Sequence, residues 1–457
     1  MYRALACLAA LTAVAAPANA EEVQSPKETL VRLSVSAAAA PQPALKYVLL
    51  PEFNELNPGN PIQNYMKCFM EREKFFMDKE EVERREQLSA MPLAELPANE
   101  LQDYGGSALR QADWAARLDT PDWQMLLQMK QEGYRLLIPD VQQMRVLARA
   151  LKVRFRAEVA MGRFDAALGT AQTMFAMSQH LGEHLTLIGE LVGVAVAQSA
   201  LDPLEEMIQQ PGCPNLYWAL TYLPSPLMPP GKSAQGERIT IEPTFRDLDG
   251  GAAMSAERLD RLIDSLSELS EGSKALPAGG LRAWLAARSG DESVVNAARR
   301  RLVENGAAEE RLRQFPAEQV LLLDQKRACL ASQDDVMKLS YLPIWQIDEM
   351  VARVRSKEPV VFDLAPAIER VARARARLDQ RISLLRHVES LRLYAAEHGK
   401  FPEKQSELWT PLPVDPMNGQ PLGYELDGTT AHLRGSAPKG EEQNPSFNLH
   451  YEVTLRK

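Results

Sequence analysis

Residues 157–168 read Ala157-Glu158-Val159-Ala160-Met161-Gly162-Arg163-Phe164-Asp165-Ala166-Ala167-Leu168, and this stretch decides the fold: it predicts two helices joined by a tight turn. Gly162 permits the backbone conformation the turn needs. Phe164 packs into the hairpin, and Ala167 lets the two helices approach closely. On the N-terminal side Val141, Met144, Leu147, Ala148 and Leu151 recur at three and four, which is one face of a helix. On the C-terminal side a second stripe runs through Phe164, Leu168, Met174, Phe175 and Met177. The pattern extends from Pro139 to Gln210 and predicts α-hairpins as the main architecture. The apolar run Leu185 to Leu201 holds Glu190, Gln198 and Ser199, so it reads as a buried helix rather than a membrane span.

Working outward, Pro58-Gly59-Asn60-Pro61 is a turn ending in a helix cap and a first-turn proline. Residues 45–230 are expected to form an N-terminal helical domain. Pro224, Pro226, Pro229, Pro230 and Gly231 then punctuate the chain, and residues 231–253 read as a linker. Residues 254–362 form a second, more charged helical region, with a loop at Gly272, Pro277, Gly279 and Gly280. A long amphipathic helix starts near Asp363. Its stripe is Leu364, Ile368, Val371, Leu378, Ile382, Leu385 and Val388, and it ends at Gly399. Beyond it the period changes to two. Leu422, Tyr424 and Leu426 alternate, Asp427-Gly428 marks a hairpin, and Leu449, Tyr451, Val453 and Leu455 form a last strand. The expected fold is mainly α, built of helical hairpins, with a small C-terminal α+β module over 363–457.

Two of these segments resemble known families. The Ala157–Leu168 junction resembles a tetratricopeptide helical hairpin. The run Tyr394-x-x-x-x-Gly399-x-Phe401-Pro402, followed by Asp415-Pro416-x-x-Gly419-x-Pro421-x-x-Tyr424, resembles the C-terminal half of type II secretion major pseudopilins. That resemblance implies a long helix crossed by a small antiparallel sheet; Glu441, Glu442 and Asn444 are then candidate oxygen ligands for calcium, with ordinary loop solvation as the preferred alternative. The N-terminal polymerising helix of that family has no counterpart here, so assembly into a fibre is not implied. The middle of the chain, from Leu137-Ile-Pro-Asp140 to Leu220, resembles exported planctomycete proteins, a likeness that implies no activity.

The N-terminus reads as a signal peptide. Arg3 precedes an uncharged apolar stretch, Ala4 to Ala16, and Ala18-Asn19-Ala20 is a small-x-small cleavage site. The protein is therefore expected outside the cytoplasmic membrane, periplasmic or extracellular, with no span left after cleavage. Residues 21–44, rich in Ala, Ser and Pro, read as a flexible lead-in. The net charge of −9 falls by one more when Arg3 is removed, which argues against nucleic acid as partner. Cys68, Cys213 and Cys329 remain. They are odd in number and far apart, and read as buried hydrophobes.

Candidate chemistry is sparse. His180-Leu-Gly-Glu183-His184 matches H-x-x-E-H, in which His180 and His184 would hold zinc and Glu183 act as general base. The bland alternative is a polar helix end with both histidines near solvent. Gly231-Lys232-Ser233 lacks the rest of a phosphate loop, because Pro226 stands where its first glycine belongs, and it reads as linker. Arg370, Arg373, Arg377 and Arg381 line one side of the long helix as a candidate partner-binding face, or as a solvated face with Glu369 pairing Arg373. Tyr217, Trp218 and Tyr222 are a second patch, read as packing. No cofactor is expected. The sequence thus points to an exported, non-catalytic binding or scaffold protein with a protein partner. The alternatives are a zinc hydrolase or an accessory component of a secretion apparatus.

Overall fold

The structure is a computed structural model describing residues 28–270, 273, 275–354, 361–362 and 365–456. The expected signal peptide (1–20) and the expected helix cap Asp363 lie outside the described residues. Among the described residues are seventeen helices and a four-stranded sheet, so the chain is mainly α with a small C-terminal α+β part, as its periodicities predict.

Strand β1 (Thr29–Val35) comes first, followed by helices α1 (Pro61–Glu71), α2 (Glu73–Met77), α3 (Lys79–Ala90), α4 (Gly106–Ala115) and α5 (Leu126–Glu132). Asn60 caps α1, its side chain accepting from the Ile62 amide at 3.0 Å. Helices α6 (Pro139–Ala160), α7 (Phe164–Gly182) and α8 (Leu187–Ile208) pack on one another. The α6–α7 turn is the one the sequence marks: Gly162 has φ +67° and Ala167 is fully buried. Among the described residues α8 alone is long and apolar enough to cross a membrane, but 67% of its apolar window is buried in the protein. After it come α9 (Tyr217–Thr221) and α10 (Lys232–Phe245). Helices α11 (Ala256–Ser270), α12 (Gly280–Ser289), α13 (Glu292–Glu304), α14 (Glu309–Leu312), α15 (Ala317–Leu339) and α16 (Ile344–Val354) form the second region. It has its own core around Leu266, Trp284, Leu302 and Leu322. Helix α17 (Ala365–His398) leads into β2 (Gly423–Asp427), β3 (Thr430–Arg434) and β4 (Leu449–Leu455).

The structure corrects three expectations. Residues 231–253 are not a linker. They hold α10, which can lie against the chain before α8 because Gly236 has no Cβ: one would sit 1.8 Å from the Leu185 carbonyl oxygen. Its Ile241 and Phe245 enter the second core. Residues 21–44 are not all a loose lead-in, since Val31, Leu33 and Val35 alternate along β1 and bury Leu33 and Val35. The sheet is therefore mixed rather than antiparallel. Its order is β1-β4-β3-β2, and β1 runs parallel to β4 from Thr29↔Leu449 to Val35↔Leu455.

One continuous core joins segments expected as separate domains. Leu378, Leu385, Val388 and Leu391 of α17 and Ala431, Leu433, Tyr451 and Val453 of the sheet belong to the same core cluster as Leu147, Phe175 and Leu201. Charged groups cross the same interior. Arg392 is 1% exposed; it pairs with Glu389 at 2.7 Å and donates to the carbonyls of Ser36 (3.0 Å) and Cys213 (2.9 Å). Glu389 also accepts from the Leu216 amide at 2.7 Å. Arg381 pairs with Glu205 at 2.8 Å and Asp202 at 2.7 Å, and Arg375 with Glu190 at 2.9 Å. Cys68, Cys213 and Cys329 are buried, and burial pushes the Cys68 and Cys213 thiols up to about 12.

Arg392→Ala would strand Glu389 in the interior, and the expected loss is ~3–5 kcal/mol, read from urea unfolding. Arg392→Met with Glu389→Gln should recover part of it, since no charge is then left unpaired. A loss under about 1 kcal/mol for Arg392→Ala, the size of an exposed pair, would remove this network from the account.

Candidate functional site

The H-x-x-E-H motif does not assemble. Helix α7 ends at Gly182, so His180 and His184 do not share a helix face. The Nδ1 of His180 is 3.0 Å from the Tyr65 hydroxyl. His184 is 1% exposed, against the expectation of a polar end near solvent. Its Nδ1 accepts from the Thr186 amide at 3.1 Å and hydroxyl at 2.9 Å, and its ring stands edge-on to Trp123. Thr186 in turn caps α8 by accepting from the Gly189 amide. Desolvation lowers both imidazoles to about 4. Glu183 is drawn away by Lys232. Burial and helix capping thus use the groups that zinc chemistry would need.

Gly231-Lys232-Ser233 is the start of α10 rather than linker. Ser233 is buried and donates to Glu190, which also receives Arg375. One turn on, Glu237 accepts from the Leu187 amide at 2.9 Å, and burial raises its carboxyl to about 7.

The arginine stripe of α17 is largely turned inward, which corrects its reading as a partner face. Arg373 pairs with Asp348 at 3.0 Å and Glu441 at 3.4 Å, and Arg381 is held as described above. Arg377 is partly buried; desolvation and the neighbouring Arg381 lower its pKa. Arg370 remains exposed and donates to the Pro366 carbonyl of its own helix. Glu441 is shared by Arg373 and Asn444, while Glu442 accepts from the Gly440 amide. Tyr217 is buried and donates to the Pro411 carbonyl, whereas Tyr222 is exposed.

A cleft outside these motifs carries further charged side chains. An open cleft of about 400 Å³ separates α3, α6 and α8. Val82 and Val146 supply apolar lining, and Arg85, Glu86, Arg149 and Lys152 supply the charged lining. Arg149 is the accessible cation, with its side chain 55% exposed and 3.7 Å from Glu86. Lys152 is tied to Asp202, and Arg85 lies over the rings of Phe75 and Phe76, 5.1 and 5.8 Å from their centres. The walls are fixed by Arg156. Its buried guanidinium donates to the Leu88 and Met91 carbonyls at 2.6 Å, where a cation complements the C-terminus of α3. It also grips Glu206 of α8 through two bonds of 2.7 Å.

Sequence reading missed this site. Arg85, Arg149 and Lys152 follow no motif, and only the packing of three helices brings them together. No family model, curated protein or solved structure matches the chain.

The raised carboxyl of Glu237 gives a pH test. Folded protein holds its proton up to about 7, whereas unfolded chain releases it near the ordinary value of 4.5. Glu237 therefore weakens the fold as pH rises through that window. Glu237→Gln keeps the acceptor for Leu187 and removes the charge. Its advantage over wild type in urea midpoint should grow between about pH 5 and about pH 8, and be flat above. A constant difference would show that Glu237 is charged in the folded state throughout.

Proposed function

We propose that the protein is an exported, non-catalytic binding or scaffold protein whose α3–α6–α8 cleft receives an acidic segment of a protein partner. The observation that carries this reading is the cleft itself: the exposed Arg149, with Arg85 and the Asp202-paired Lys152 beside it, next to apolar side chains in a chain of net charge −9. A local basic recess on an acidic protein selects for a partner segment of complementary charge. Its volume falls within the ordinary range of ligand recesses, roughly 300–1,000 Å³. The signal-peptide pattern of residues 1–20 supports a periplasmic or extracellular location. The likeness of α6–α7 to a tetratricopeptide hairpin, and of α17 with β2–β4 to the pseudopilin module, supports docking rather than turnover. The acidic balance favours protein over nucleic acid as the partner.

Fluorescence anisotropy of a labelled oligoglutamate peptide tests the proposal. Expected is binding that weakens as salt rises and that Arg149→Glu weakens at least about tenfold, the equivalent of ~1.4 kcal/mol. Arg149 is largely solvated, so this variant should keep its fold. No binding, or binding indifferent to Arg149→Glu, would overturn the assignment of the cleft.

A further inference from the structure

The outer face of the terminal sheet carries a second cluster, unrelated to the cleft. Side chains alternate along β3 and β4, and Ala431, Leu433, Tyr451 and Val453 fill the inner face against α17. His432, His450 and Glu452 consequently share the other face. His432 lies directly opposite Glu452 in the antiparallel register, and His450 stands two residues before it on the same strand. Nδ1 of His432 is 3.0 Å from Nε2 of His450, and one donor atom from each of the three side chains lies within 4.8 Å of the others. Among the described residues no other group of three His, Cys, Asp or Glu converges in this way.

We propose that His432, His450 and Glu452 bind a zinc ion. Zinc–nitrogen bonds of about 2.0–2.1 Å in tetrahedral geometry place two imidazole nitrogens roughly 3.3 Å apart; with the ring centres 5.2 Å apart the two nitrogens now point at each other, so the nitrogens part by a few tenths of an ångström and each ring turns until both lone pairs converge on the ion. The tautomers suit ligation. Nδ1 of His450 lies 3.0 Å from a Glu28 carboxylate oxygen, which holds the ring proton on Nδ1 and leaves Nε2 with its lone pair toward His432. This is the carboxylate–histidine arrangement that orients metal ligands. His432 then donates from Nδ1 to His450 without metal. Moving its proton to Nε2 frees the second lone pair, with no change in net charge. Glu452 is held by Arg32 at 2.9 Å, but the Arg32 side chain is 76% exposed and can release to water. Two imidazoles and one carboxylate favour zinc over calcium or magnesium, and three protein ligands leave a fourth position for water.

Calorimetric titration of zinc chloride into the purified, metal-free chain tests this, with folding checked by circular dichroism. Expected is one zinc per chain, lost in His432→Ala and weakened in Glu452→Gln. Glu28→Gln should weaken binding about 10- to 100-fold, the effect of losing an orienting carboxylate. Arg32→Ala should tighten it, because the competing cation is gone. These last two residues lie at the surface, so they carry the test if His432→Ala fails to fold. A folded wild-type chain that binds no zinc, zinc binding unchanged in folded His432→Ala, or no shift in either Glu28→Gln or Arg32→Ala would overturn the proposal.

Discussion

Helix α17 must place three guanidinium groups in the interior, those of Arg375 and Arg392 buried and that of Arg381 mostly so, and the rest of the molecule is arranged around that demand. Its 34 residues span about 50 Å, far enough to serve the helical bundle and the sheet at once. Its apolar stripe of Ile, Val and Leu would accept a slip of one turn, about 5.4 Å, with little loss of contact area. The arginines would not. Arg375 needs Glu190, Arg381 needs Glu205 and Asp202, and Arg392, paired with Glu389 of its own helix, needs the carbonyls of Ser36 and Cys213. An uncompensated buried ion costs several kcal/mol, so three would consume a folding free energy of about 5–15 kcal/mol. Apolar area supplies the driving force, and the ion pairs exclude the wrong registers.

Local chemistry made much of the fold legible. Gly162, Phe164 and Ala167 mark the α6–α7 hairpin, Asn60 caps α1, and Gly399 (φ +72°) ends α17. Each signal acts within a few residues, so one sequence suffices to read it. What stayed hidden depends on distant partners. β1 alternates Val31, Leu33 and Val35 amid Ala, Ser and Pro, and is a strand because β4 is there to pair with it. α10 follows a proline-rich run and contains Pro243, yet it is held by Glu190, the Leu187 amide and the second core.

The same distinction separates the sites. H-x-x-E-H carries meaning only if a helix continues through it, and Gly182 ends α7 two residues too soon. The arginine spacing on α17 gave the helix face correctly but not its surroundings: Asp202, Glu205 and Asp348 lie on other helices and turn most of that face inward. The cleft has no linear signature, because Arg156 builds it by joining α3, α6 and α8 through carbonyls and Glu206. The outer-face cluster left one trace, a His450-x-Glu452 pair at strand spacing in a sequence with few histidines. Its meaning needs the β3–β4 register that sets His432 opposite.

Strands β1 and β4, the first and last of the described strands, meet at that cluster, and the energetics show which depends on which. Arg32 and Glu452 are 420 positions apart, and closing such a loop in an unfolded chain costs about 5 kcal/mol beyond a constant. Burying Leu33 and Val35 returns about 1.5–3 kcal/mol each, which only matches that cost. β1 therefore cannot hold itself to β4 unaided. Once the bundle and the β2–β4 hairpins have fixed α17, the loop is already closed. Docking β1 then requires ordering only its own residues, with Arg392 ready to receive the Ser36 carbonyl. The strand is a consequence of the core. Glu28 and Arg32, which β1 brings against His450 and Glu452, reach them only in the folded chain.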